Sequence, residues 1–116
     1  MKKAVQGKTY ESGEVTVGKD NCTIRGTCCA WVEDGGRADV LDGGHADVYD
    51  GGGVWVFNGA SAIVNNGGYA WVFEGGTADI LDGASAIVKN GGIADVCDGA
   101  TVHAEPGSII NGKVTK

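Results

Sequence analysis

Proline is almost missing from this chain: Pro106 stands alone against 22 glycines in 116 residues. Collagen-like and disordered chains with so much glycine usually carry abundant proline, serine or glutamine, so both classes are excluded and the glycines serve something periodic. Cations are scarce too. Nine Lys and Arg face 15 Asp and Glu, and between Thr27 and Pro106 only Arg37 and Lys89 are basic. Such an acidic stretch repels a nucleic-acid backbone and an anionic membrane surface, so neither is expected as a partner. No run approaches the roughly 18 apolar residues of a membrane span, and no opening segment joins basic residues to an apolar run of signal-peptide length. A cytoplasmic or virion-associated location is therefore expected, without membrane insertion. Cys22, Cys28, Cys29 and Cys97 form no CxxC pair and have no His at ligand spacing. Reduced thiols filling small-residue sites are expected, and no metal site or cofactor.

What the chain does have is a repeat. From Thr27 to Pro106 it divides without a gap into octads such as GGRADVLD, GGHADVYD, GGGVWVFN, GASAIVNN, GGYAWVFE and GASAIVKN. The fourth position is nearly always Ala (Ala38, Ala46, Ala62, Ala70) and the sixth Val or Ile (Val40, Val48, Val64, Val72, Ile80). Residues two apart share one face of a strand, so these point inward. The eighth and first positions read Asp-Gly or Asn-Gly, pairs that tolerate left-handed backbone and turn the chain. Every octad is a short strand plus a corner. No helix survives, because each interior glycine costs a helix about 1 kcal/mol.

Strands this short need neighbours, and stacked coils supply them. The expected fold is all-β, a single-stranded β-solenoid (β-helix), with residues 1–18 as an N-terminal cap, 19–114 as the solenoid with degenerate terminal repeats, and 115–116 as a tail. GASAIVNN at Gly59 returns as GASAIVKN at Gly83, which predicts three octads per coil, a triangular section, and about four coils of roughly 19 Å in total. The alternative is a flat, two-sided roll with two octads per coil, which the likeness of GGGVWVFN at Gly51 to GGYAWVFE at Gly67 favours.

With its VxxGGxAxV pattern, the array resembles the glycine-rich β-helical repeats in passenger domains of self-associating bacterial autotransporters. It also resembles short octapeptide-repeat proteins encoded in bacterial and phage genomes. The resemblance covers Thr27 to about Pro106 and implies a β-solenoid, with adhesion or self-association as the function to look for. Hexapeptide acyltransferases differ by their period of six, and calcium-binding nonapeptide rolls by their second glycine, where this chain has Ala.

Reaction chemistry finds little support in the sequence. Asp34, Asp42, Asp50, Glu74, Asp82 and Asp98 fall at corners, while Asp39, Asp47, Asp79 and Asp95 point outward from strands; all are expected to be solvated. A paired-carboxylate glycosidase would need a cleft, which a regular prism does not offer. His45 and His103 are expected to be isolated surface residues, since no serine or cysteine nucleophile is tied to either by a motif. The outward aromatic and aliphatic residues are more telling. Trp31, Tyr49, Trp55, Phe57, Trp71, Phe73 and Leu81 are the expected interface or ligand residues, an unusual load for a monomer's surface. They point to a non-enzymatic structural or interaction module forming a homo-oligomer or joining a larger assembly. A carbohydrate-binding or adhesive module that stacks glycan on tryptophan is the alternative.

Overall fold

The inward and outward alternation read from the octads is the organising feature of the computed structural model, which describes residues 2–112. In chain order the strands are β1 (Lys2–Lys3), β2 (Thr9–Tyr10), β3 (Glu14–Gly18), β4 (Asn21–Ile24), β5 (Cys29–Glu33), β6 (Arg37–Val40), β7 (His45–Val48), β8 (Gly53–Val56), β9 (Ser61–Val64), β10 (Tyr69–Val72), β11 (Thr77–Ile80), β12 (Ser85–Val88), β13 (Ile93–Val96), β14 (Thr101–Ala104) and β15 (Ile109–Gly112). Odd-numbered strands build an eight-stranded sheet and even-numbered strands a seven-stranded one. Every pairing is parallel. The chain is a β-solenoid.

One coil takes two octads, not three. Tyr69 lies beside Gly53 on one side and Ser85 on the other, each two octads away along the chain, and the same offset holds from β4 and β5 onward. The expected triangular section is thus corrected to the flat, two-sided roll, for two physical reasons. First, each corner of the octad array is a hydrogen-bonded four-residue turn that reverses the chain: the Gly44 amide donates to the Leu41 carbonyl at 2.8 Å, with Gly43 at φ 82°. Positive φ at the third residue is the signature of a type II turn. A triangle would need a gentler bend. Second, the inward side chains are small. Val40, Val48, Val56, Val64 and Val72 are fully buried, as are Ala38, Ala46 and Ala70. Two facing layers of Ala and Val fill the roughly 10 Å between packed sheets, but they would leave the centre of a triangle hollow. The stack is correspondingly longer, since the long axis of 36 Å is what eight rungs at about 4.8 Å occupy.

Residues 2–18 supply β1, β2 and β3 to the ends of the two sheets. Their coils are shorter: Lys2 pairs with Val15, Thr9 with Thr23, and Glu14 with Cys29. Tyr10 is buried there, and its hydroxyl accepts the Val5 amide at 2.9 Å. The expected 115–116 tail and the last two residues of the expected 19–114 array lie outside the described residues, as does Met1. No described helix is long and apolar enough to cross a membrane.

Candidate aromatic interface

Even-numbered strands carry the aromatic block. On β8 the outward side chain is Trp55, on β10 Trp71, and one coil's spacing puts the two in register. Their rings stack at 5.4 Å between centroids, with planes 12° apart. Phe57 and Phe73, just beyond the same strands, stack at 4.8 Å and 4°. Edge contacts join the two rows, with Trp55 to Phe73 at 6.4 Å, and Tyr69 closes the patch against Trp71 at 6.1 Å. Stacked and edge-to-face pairs at these separations each contribute about 0.5–1.5 kcal/mol beyond their area burial.

The two cations of the array flank this block. The Arg37 guanidinium on β6 lies 4.2 Å from the Trp55 ring centre, and the Lys89 ammonium lies 6.0 Å from the Trp71 ring. Lys89 also pairs with Glu105 at 2.8 Å. The order along the sheet is therefore Arg37, Trp55, Trp71, Lys89, and each indole face meets another ring or a cation. A sugar ring stacks on an aromatic face, and these faces are already covered.

The seven expected interface residues do not form one surface. Trp55, Phe57, Trp71 and Phe73 come together on the seven-stranded sheet. Trp31 lies on β5 of the opposite sheet, beside Asp47, while Tyr49 and Leu81 follow β7 and β11 of that sheet. Trp31 therefore cannot join Trp55 and Trp71 in one row of platforms. Tyr69, Arg37 and Lys89 belong to the block although sequence reasoning passed over them. The signal for Tyr69 was its place two residues before Trp71 on the same strand face, whereas Arg37 and Lys89, at the third and seventh octad positions, reach the tryptophans of a neighbouring coil, which requires the coil length to be known. Most of the block is half-buried, Tyr69 being the exposed member at 36 %. Among the described residues the Trp71 indole N–H has no acceptor.

The opposite sheet carries the more polar row. Down its outward face run Asp47, Ile63, Asp79, Asp95 and Asn111. Burial raises the Asp79 pKa, the Asp95 charge and a hydrogen bond to Asp95 raise it further, and His45 opposes them. The Asn111 amide donates to Asp95 at 3.0 Å. The expectation that His45 is isolated is corrected here. Its ring contacts Ser61 Oγ at 2.9 Å and Asp47 Oδ1 at 3.0 Å. His103 is exposed on β14. No group of three or more His, Cys, Asp or Glu among the described residues is arranged to hold a metal ion. The cysteines are free thiols, Cys22 and Cys28 buried, Cys29 half-buried and Cys97 exposed. Burial, aided by Cys28, Asp39 and Asp20, pushes the Cys22 thiol up to about 11.

No protein-family model matches the chain. No curated protein matches it either. Among solved structures it is similar to a TibC-catalyzed hyper-glycosylated fragment of TibA, at 24% identity and a TM-score of 0.47. The match covers 87% of this chain and 52% of that one, so the chain spans about half the length of the structure it resembles.

Proposed function

We propose that this β-solenoid is a non-enzymatic interaction module that pairs with a second copy of itself through the aromatic face of the seven-stranded sheet. The observation carrying this reading is the contiguous block of Trp55, Phe57, Tyr69, Trp71 and Phe73 on two adjacent rungs. A repetitive flat face is readily self-complementary, and a two-fold axis lets the same patch serve both partners. The covered indole faces favour such pairing over the stacking of a sugar ring. Because most of the block is already half-buried, the five aromatics offer at most roughly 400 Å² per copy. A standard interface takes about 800 Å² from each partner. Neighbouring outward residues such as Arg37, Leu41 and Ile87 must supply the rest. Association in the micromolar range is the consequence, since area alone does not confer tight binding.

Sedimentation velocity at tens of micromolar tests the proposal. A dimer is expected, and replacing Trp71 and Phe73 together with Ser should release monomers that keep their β signature in circular dichroism. A wild-type monomer overturns the reading, as does a dimer indifferent to the double change.

A further inference from the structure

On the sheet of the more polar row one coil's spacing brings three outward residues into a relay that no sequence motif joins. His45 and Asp47 come from β7 and Ser61 from the adjacent β9, where it pairs in register with His45. The ring bridges the other two, with Nδ1 2.9 Å from Ser61 Oγ and Nε2 3.0 Å from Asp47 Oδ1. An ionised carboxylate only accepts hydrogen bonds, so Asp47 fixes the proton of the neutral ring on Nε2 and leaves the Nδ1 lone pair for the Ser61 hydroxyl. A hydroxyl bonded to an oriented imidazole is the arrangement that activates serine as a nucleophile. His45 and Asp47 keep 34% and 27% of their side-chain surface, so the relay is open to a reagent from solution.

We propose that Ser61 is a base-activated acceptor hydroxyl that takes acyl groups from activated esters. Its Oγ attacks the ester carbonyl carbon and the hydroxyl proton passes to His45 Nδ1. The bond from that carbon to the leaving oxygen breaks, the alkoxide or phenolate departs with the bonding electron pair, and the imidazolium returns its proton to water. The product is an acyl-serine and a free alcohol or phenol. The reaction stops there. The backbone donor of Ser61 itself is spent on the solenoid ladder, its amide on the Gly44 carbonyl, so it is not available to stabilise the oxyanion for turnover.

The protein contains its own control. Ser85 occupies the same octad position in the same local sequence, GASAIV, and is equally half-buried. On its sheet, however, its in-register neighbours are Tyr69 and Thr101, and the imidazole of His103 lies in register with Ile87 instead. The chain is treated with p-nitrophenyl acetate and the acetylated residues are mapped by peptide mass spectrometry. General-base assistance is worth about 10²–10⁴ in rate, so Ser61 should be acetylated at least about tenfold faster than Ser85. His45→Ala should bring Ser61 down to the rate of Ser85. Equal labelling of the two serines overturns the proposal, as does acetyl carried by the neighbouring Cys29 in place of Ser61, or a Ser61 rate unmoved by His45→Ala. Should that variant fail to fold, the comparison of the two serines in the wild-type chain still decides.

Discussion

The carboxylate of Asp50 at one corner lies against the α-carbon of Gly67 at the corner one coil further on, in the space where a side chain at Gly67 would begin. The same contact recurs between Asp42 and Gly59, Asn58 and Gly75, and Asp82 and Gly99. The Asp-Gly and Asn-Gly corners therefore do more than turn the chain, because the polar residue of one rung occupies the space left by the glycine of the next.

Two substitutions separate these roles. Gly13 has a φ of 85° with open space around it, whereas Gly67 has a φ of 83° and the Asp50 carboxylate in its way. Gly13→Ala should cost only the left-handed backbone penalty of about 1 kcal/mol. Gly67→Ala should cost about 2 kcal/mol or more, since Asp50 must also move. Urea denaturation of both variants measures the difference, and equal losses would mean that the corner contact contributes nothing.

Inward and outward positions of the array should respond very differently. Val72 is fully buried, and an aspartate there places an unpaired charge between the sheets at a cost of about 3 kcal/mol or more. Glu74→Gln at the exposed corner should stay within about 0.5 kcal/mol. Asn65→Ser lies between them, at about 1 kcal/mol, because its amide donates to the Val48 carbonyl at 3.1 Å. Thermal melts that rank the three otherwise would contradict the assignment of faces.

Asp79 makes stability depend on pH. Its pKa is raised in the folded chain, by burial first and then by Asp95, so the fold favours the protonated acid. That preference is fully expressed below the ordinary carboxylate pKa of about 3.9 and fades as pH rises through the higher folded value. Asp79→Asn removes the penalty of ionisation. The variant should therefore melt above the wild type at neutral pH, and the gap should narrow as pH falls toward 4. A gap independent of pH would show that the Asp79 pKa is not raised in the folded chain.

The core was legible because strand alternation is a local property. Ala at the fourth and Val at the sixth octad position had to share a face, whatever the coil. The aromatic block was legible only in part. Trp55, Phe57, Trp71 and Phe73 stood out by type, and Tyr69 shares the outward face of β10 with Trp71, but Arg37 and Lys89 join them only because residues two octads apart become neighbours. The relay of His45 and Ser61 was hidden for the same reason, since three octads per coil would have set His45 beside Tyr69.

By itself, then, the sequence determined the octad period, the inward and outward faces and the positions of the corners. All of these follow from steric preferences within a few bonds of each residue. The number of octads per coil was left to the tertiary structure. Coils of two octads and of three both stack every octad on another octad in the same register, so the local pattern satisfies either. Reversal of the chain at each hydrogen-bonded turn, and the thin space that Ala and Val can fill, decided it. With that choice came every lateral neighbour on the two outer faces, and so both the aromatic block and the serine relay.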